Sequence, residues 1–94
     1  MSRVASDAAA FVGNLILDHR VRVGMTQDDL ASASGIDSAN IRAHEKGRSM
    51  PSIQTLVRIA SALGIAPGKL VEGLTLELFD LEKRKSAEQP RESR

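Results

Sequence analysis

Apolar positions recur at spacings of three and four residues along most of this chain, a pattern that predicts amphipathic helices. The first apolar stripe follows Ser6 and Asp7, which suit the start of a helix, and runs toward Gly24. Its core-facing members are Phe11, Val12, Leu15, Ile16, His19 and Val23. A later stripe follows the cap residue Ser52 and ends at Gly64. Its members are Ile53, Leu56, Val57, Ala60 and Leu63.

Between these two stripes, capping signals mark two short helices joined by a tight turn. Thr26 suits the N-cap of the first helix, and Gly35 supplies the left-handed residue that ends it. Asp37 suits the N-cap of the second helix, which Gly47 ends. Helices separated by so few residues must cross at a steep angle, which is the geometry of a helix-turn-helix motif, here about residues 26–46. The second helix of such a motif is free to enter the major groove of DNA.

The C-terminal part of the chain has a less distinct pattern. A short fifth helix is predicted from about Pro67 to Glu72, without a side-chain cap because Ala66 precedes it. Over residues 74–85 the leucine spacing fits an amphipathic helix, while the alternation in 75–79 also fits a strand. An apolar stripe with no later sequence to cover it implies packing against the first helix or against a second chain.

Composition limits the organisation and the class of protein. A length of 94 residues with 41% apolar residues fits one small domain. We expect a flexible arm (1–7), one domain (8–73), an extension that would serve dimerisation (74–85) and a disordered tail (86–94). With 2% aromatic residues, the chain lacks a stacking surface for single-stranded nucleic acid. The absence of Cys fits a reducing compartment, and no apolar run reaches membrane-spanning length, so a cytoplasmic protein is expected.

The distribution of charge is more informative than its sum, since the net charge is only +1. From Arg42 to Arg58, four basic residues accompany one acidic residue, whereas residues 28–37 hold three acids and no base. Positive charge therefore collects at and just after the second helix of the motif. DNA phosphates would lie there.

The landmark residues of the chain resemble those of the Cro/phage-repressor type of helix-turn-helix, often called the XRE family. They are Gly24-Met25-Thr26-Gln27, Leu30-Ala31, Gly35-Ile36, Ile41, Glu45-Lys46-Gly47, Pro51, Leu56, Ile59-Ala60, Ala62-Leu63-Gly64-Ile65 and Leu70. The resemblance covers about residues 11–73. It implies an all-α, five-helix, lambda-repressor-like domain that binds duplex DNA sequence-specifically, usually as a dimer. It also implies an ion pair between Arg20 and Glu45 that ties the first helix to the recognition helix.

Base-reading and phosphate-binding candidates follow from the motif. By resemblance, the positions of Ser38, Ala39 and Ala43 meet bases, but their small side chains offer one hydroxyl and methyl contacts. Arg42 shares their helix face and is the strongest reader available, pointing either to a base or to the DNA backbone. The phosphate candidates are Gln27, Asn40, Lys46, Arg48 and Ser49. For Asn40 a base contact stays open, and for Lys46 and Arg48 the alternative is a solvated loop.

Leucine-rich positions suggest a surface for a second copy or another protein. Its predicted members are Leu17, Val21, Leu70, Leu74, Leu78 and Leu81. For Leu17 and Val21 the alternative is scattered surface apolar residues, which are common. His44 and His19 are interpreted as half-buried packing residues, with a pH switch or ligand role for His44 as the alternative. No metal-ligand spacing and no nucleophile with its base are present, so no metal, cofactor or catalysis is expected.

The sequence is compatible with two functions. The first is a sequence-specific regulator of transcription that binds a palindromic operator as a homodimer. The second is an antitoxin-like or adaptor module that uses the motif as a scaffold and holds a protein partner with its leucine-rich C-terminal segment. The small residues at Ser38, Ala39 and Ala43 favour the second slightly, while the basic and amide side chains favour DNA.

Overall fold

The helices of the chain follow its predicted caps. The computed structural model describes residues 4–79, which contain four α-helices, two 3₁₀ turns and no strand. The elements are α1 (Asp7–Arg22), α2 (Gln27–Ser34), α3 (Ser38–Glu45), α4 (Ile53–Leu63) and the 3₁₀ turns Pro67–Leu70 and Leu76–Leu78. The all-α prediction is therefore confirmed for the described residues. A fifth α-helix is not present among them, because the predicted one is the first 3₁₀ turn.

Side-chain caps set where each α-helix begins. The Thr26 hydroxyl accepts a hydrogen bond from Asp29 N, and the Asp29 carboxylate accepts one from Thr26 N, each at 2.9 Å. This reciprocal pair satisfies two backbone donors that the helix itself leaves free. The other three helices begin at capping residues of the same kind, Ser6, Asp37 and Ser52. Ala66 makes no side-chain cap, as predicted, and the element after it is only a 3₁₀ turn.

One apolar core joins all four helices and the first 3₁₀ turn. Its buried members are Val12, Ile16, Leu30, Ile41, Leu56, Ile59, Ala60, Leu63 and Leu70. Three residues predicted to face this core are instead exposed: Val23 by 49%, Ile53 by 77% and Val57 by 46%. Val23 follows the last turn of α1 and has left the helix. Ile53 and Val57 lie on the flank of α4, outside the arc whose centre is marked by Leu56 and Leu63.

The C-terminal extension packs back on α1. The segment around Leu76–Leu78 contacts α1, and the ring of Phe11 lies 3.1 Å from the position that a Cβ at Gly73 would take. Gly73 has φ +89°, and the only helical element after it within the described residues is the 3₁₀ turn Leu76–Leu78, so neither the predicted helix nor the predicted strand forms over 74–79. A left-handed residue pinned against an aromatic ring stops the chain from continuing as a helix. Residues 80–94, including Leu81, the rest of the predicted extension and the predicted disordered tail, lie outside the described residues, as do residues 1–3 of the predicted arm.

Leu70 is a clear correction to the predicted dimer or partner surface. It is fully buried in the core and packs under α4 and α1. The first 3₁₀ turn closes the end of the core, so the side chain that the sequence pattern assigns to an uncovered stripe is covered within the chain. Within residues 4–79, no helix combines the length and apolar character needed to cross a membrane.

Candidate nucleic-acid interface

The exposed face of α3 is the centre of the candidate interface. Helix α2 ends at Gly35 with φ +74°, and Asp37 starts α3 two residues later, so the two helices form the predicted helix-turn-helix. Ile41 on the inner face of α3 is fully buried. On the outer face Ala39 and Arg42 are exposed. Helix α3 is therefore held by the core on one side and open to solvent on the other.

Two glycines allow the C-terminal end of α3 to lie directly on α1. A Cβ at Gly13 would overlap the His44 carbonyl oxygen and lie 2.8 Å from that of Glu45. Gly47 has φ +73°, and a Cβ there would lie 2.7 Å from the Cα of Ala10. The backbone N–H of Ala5 also donates to the Gly47 carbonyl at 2.7 Å. This backbone-to-backbone packing sets the distance and orientation of α3 relative to α1.

Arg20 and Glu45 form a buried, two-point ion pair between α1 and α3. Arg20 Nε donates to Glu45 Oε2 at 2.6 Å, and Nη2 donates to Oε1 at 3.0 Å. Their side chains are 12% and 3% exposed. The hydrogen bond to Glu45 raises the pKa of Arg20, with the charge of Glu45 acting in the same direction and burial opposing both. The structure thus brings together the two residues that the family resemblance pairs.

Gln27 joins this ion pair, a contact that sequence reasoning missed. Gln27 is the first residue of α2 and is half-buried. Its amide Nε2 donates to Glu45 Oε1 at 2.9 Å. The two residues are 18 positions apart and belong to different helices, so no local spacing signals the contact. Three elements therefore meet at one carboxylate: α1 through Arg20, the start of α2 through Gln27, and α3 through Glu45 itself.

The predicted base-reading residues span most of the length of α3 and differ in exposure. Ala39 and Arg42 are exposed, whereas Ser38 and Ala43 are half-buried. Asn40, a phosphate candidate, is also exposed. Because the neighbouring side chains are small, Arg42 is the longest side chain on this face. The exposed face of α3 therefore presents one long side chain, Arg42, among small ones.

The loop after α3 carries the remaining phosphate candidates. Lys46 and Arg48 are exposed, and the backbone N–H of Arg48 donates to the Ala43 carbonyl at 2.9 Å. Ser49 is half-buried, and its hydroxyl and carbonyl oxygens lie 3.0 and 3.2 Å from His44 Nδ1. His44 is half-buried beneath the loop, which matches the packing interpretation and adds a hydrogen-bonding one. The loop is therefore tied to the end of α3.

Among the described residues, the exposed or half-buried positions of the predicted dimer or partner surface fall into two groups. Leu17 and Val21 are exposed on α1, by 37% and 60%. Leu74 and Leu78 are half-buried, in the segment that packs on the Phe11 side of α1. Phe11 lies about 120° around the helix axis from Leu17 at 100° per residue. The two groups of apolar residues thus occupy different flanks of α1.

Within residues 4–79, no three His, Cys, Asp or Glu side chains come close enough together to hold a metal ion. The two histidines, His19 and His44, belong to different helices. The polar groups that do converge are those around Glu45, and arginine and amide groups occupy that carboxylate. The chemistry that this surface offers is recognition by hydrogen bonding and charge.

Comparison with known proteins agrees with this geometry. A family described as helix-turn-helix matches residues 16–70 of the chain. An uncharacterised HTH-type transcriptional regulator of Methanothermobacter thermautotrophicus is 48% identical over 50 residues, which cover 53% of this chain and 72% of the relative. The uncharacterised HTH-type transcriptional regulator y4dJ of Sinorhizobium fredii is 32% identical over 65 residues, covering 69% and 84%.

Solved structures show the same fold. The restriction-modification controller protein C.AhdI from Aeromonas hydrophila superposes with a TM-score of 0.65 at 29% identity, covering 66% of this chain and 94% of that protein. The wild-type restriction-modification controller protein C.Esp1396I gives a TM-score of 0.64 at 29% identity, covering 69% and 84%. Since the family match spans more than half of the chain, this protein belongs to the XRE-type helix-turn-helix family of DNA-binding transcriptional regulators.

Proposed function

We propose that this protein regulates transcription by binding a palindromic operator in double-stranded DNA as a homodimer, with α3 as the recognition helix. The observation that carries the proposal is the way α3 packs on the domain, with one face held and the other exposed. Its inner face is fixed by Ile41 in the core and by Glu45 on Arg20, while Arg42 stands on its open face. A helix held rigidly and exposed along one side suits insertion into the major groove. The relatives named above are regulators or controller proteins, which favours DNA binding over the adaptor alternative.

Arg42 is the principal base reader in this proposal. Its guanidinium can donate two hydrogen bonds to O6 and N7 of one guanine, the commonest specific contact in the major groove. Ala39 and Ala43 then approach thymine methyl groups, and Ser38 donates to or accepts from a base edge. Because one long side chain reads the site directly, the shape and deformability of the DNA supply part of the specificity.

Phosphate contacts flank this reading face on both sides. Gln27 and the free amides at the start of α2 approach one strand, and Lys46 and Arg48 approach the other. Asn40 adds a contact from α3. Ser49 contributes less, because His44 already engages its hydroxyl group. These contacts supply affinity without sequence information.

Arg42→Ala tests the reading role directly. In selection from a random duplex library, the full-length protein is expected to enrich a palindromic motif, and Arg42→Ala is expected to relax it at one position in each half-site. Affinity for the selected site should fall by about 30-fold or more, since a bidentate base contact contributes ~1–3 kcal/mol and the homodimer loses one in each half-site. The matched control is Arg22→Ala, because Arg22 is an exposed arginine of α1 that pairs with Asp18.

One outcome would contradict the proposed function, and a second would contradict only the base-reading role of Arg42. Enrichment of no motif by the wild-type chain at low salt would remove sequence-specific binding. A uniform loss of affinity by Arg42→Ala across all sequences would move Arg42 from a base to a phosphate. In the second case the protein can still be a regulator, but its sequence specificity must come from DNA shape and from Ser38, Ala39 and Ala43.

Dimerisation follows from the small number of phosphates that one module reaches. Joining two modules raises affinity because the second binds at a high effective concentration. The proposed contact is the C-terminal extension, where Leu74 and Leu78 are half-buried and Leu76 is 68% exposed. The exposed pair Leu17 and Val21 is a separate candidate on the other flank of α1.

Substitution of each surface distinguishes these two dimer contacts. Leu76→Asp is expected to convert the protein to a monomer in analytical ultracentrifugation, since a carboxylate would be desolvated in an apolar contact. Val21→Asp is the matched control on the other surface and is expected to leave the dimer intact. The reverse pair of results would place the interface at Leu17 and Val21, and a monomeric wild-type chain would contradict dimerisation in the absence of DNA.

A further inference from the structure

We propose that the buried Arg20–Glu45 pair is a positioning device for Gln27, which it holds ready to donate to a DNA phosphate. Glu45 itself touches no DNA in this arrangement and acts through the Gln27 amide. The inference rests on the proposed function, because it assumes that the start of α2 faces a DNA strand. It goes beyond that function by giving the ion pair a role in binding in addition to its role in the fold.

The geometry at Glu45 assigns the two hydrogens of the Gln27 amide to different tasks. Nε2 donates one hydrogen to Glu45 Oε1 at 2.9 Å. The amide nitrogen carries a second hydrogen, and the planar group directs it away from the first. Gln27 is half-buried, so part of the residue is open to solvent, and in this proposal the second hydrogen points toward that side. A phosphate oxygen is a suitable acceptor for it.

The charge balance of the pair is what makes it suitable as an anchor beside a phosphate. A lone carboxylate would hold the amide equally well but would repel the phosphate across a partly desolvated gap. Here Arg20 binds both Glu45 oxygens, at 2.6 and 3.0 Å, so the anchor is neutral as a unit. The anchor therefore fixes the amide without opposing the anion.

A third hydrogen bond from the same arginine restrains the backbone just before Gln27. Arg20 Nη1 donates to the Met25 carbonyl at 2.8 Å, two residues before Gln27 and one before the Thr26 cap. The guanidinium thus restrains the start of α2 through its backbone, and Glu45 restrains it through its first side chain. A side chain ordered before binding loses less conformational freedom when the phosphate arrives, which increases affinity.

A double-mutant cycle separates this positioning role from a structural one. Gln27→Met, which removes the amide and keeps the length of the side chain, is made in the wild type and in the Arg20→Met/Glu45→Met background. Binding to one mixed-sequence DNA duplex is measured at several salt concentrations. Gln27→Met is expected to weaken binding about 10-fold in the wild type and less than about 2-fold in the double variant. Gln54→Met, at an exposed glutamine of α4, is the matched control.

Each remaining result has a defined meaning. An equal loss in both backgrounds shows that Gln27 acts without the anchor, and no loss in the wild type shows that Gln27 does not reach a phosphate. Either result overturns this inference but does not affect the proposed function, provided that the wild-type chain binds the duplex. A wild-type chain that binds no duplex overturns the proposed function and this inference together.

A measurement on the wild-type chain keeps the test independent of the stability of the double variant. The two side-chain N–H signals of Gln27 are followed by NMR while the duplex is added. The signal of the amide hydrogen that Gln27 donates to Glu45 is expected to be shifted already in the free protein. The signal of the other amide hydrogen is expected to shift when DNA is added. Two Gln27 signals at the positions of a fully solvated glutamine amide in the free protein would show that Glu45 does not hold the amide and would overturn the inference.

Discussion

A Gly13→Ala variant is expected to lose about 3 kcal/mol or more of its free energy of unfolding, because the added methyl group has no room between α1 and α3. Its Cβ would overlap the His44 carbonyl oxygen and lie 2.8 Å from the Glu45 carbonyl oxygen. Both neighbours are backbone atoms, so no side chain can rotate away. The two helices must separate instead, which breaks the backbone contact that sets the distance between α1 and α3.

The sign of this effect is opposite to that of the same change in an isolated helix. Gly to Ala in a free helix interior is stabilising by about 1 kcal/mol. Urea unfolding monitored by circular dichroism measures the free energy, and Gly68→Ala is the matched control, since nothing lies within 4 Å of a Cβ there. A Gly13→Ala variant as stable as the wild type would show that α1 and α3 are not in backbone contact.

Glu45→Met is expected to cost about 3–5 kcal/mol of unfolding free energy, whereas Arg20→Met/Glu45→Met should restore most of that loss. The single variant leaves Arg20, whose side chain is only 12% exposed, without its carboxylate. The double variant replaces two desolvated charges by uncharged side chains of similar volume. The stability gained by the pair is thus small, and the cost of breaking it is large.

Thermal and urea unfolding of the two single variants and the double variant measure this coupling. The matched control is Arg22→Met with Asp18→Met, an exposed i,i+4 pair of α1 whose contribution should stay below about 0.5 kcal/mol. A double variant as unstable as Glu45→Met would show that the site does not tolerate apolar packing.

The pH dependence of the Arg20 contribution follows from the direction of its pKa shift. Glu45 raises the pKa of Arg20 in the folded protein. A cation with a raised folded-state pKa contributes its full stabilisation below the unfolded-state pKa and loses it as the pH rises through the folded-state pKa. Because the ordinary pKa of arginine is already strongly alkaline, titration of Arg20 is expected to add no pH dependence to stability around neutral pH.

Local chemistry made the helix boundaries predictable. Thr26, Asp37 and Ser52 are caps in the structure as in the sequence pattern, because a capping bond involves residues within one turn. Gly35 and Gly64 end their helices for the same local reason. Together with these helix boundaries, the landmark residues of the family located the recognition helix.

Errors in the predicted core arose where burial depends on a distant partner. Val57 and Leu70 both fit apolar periodicities, yet Val57 is 46% exposed and Leu70 is fully buried. The periodicity of a helix gives the direction of its apolar face but not the width of the neighbour that covers it. The 3₁₀ turn Pro67–Leu70 closes the core at Leu70 and leaves the flank of α4 at Val57 uncovered.

By itself, the sequence determined the all-α class, the caps, the helix-turn-helix and the family, since each depends on residues close together along the chain or on a spacing characteristic of the family. Only the tertiary structure decided that Gly13 is a contact point, that Gln27 binds Glu45 and that the apolar residues of α1 form two separate surfaces. These features join residues from different elements. Their distances are set by how whole helices pack, and no spacing along one segment records that packing.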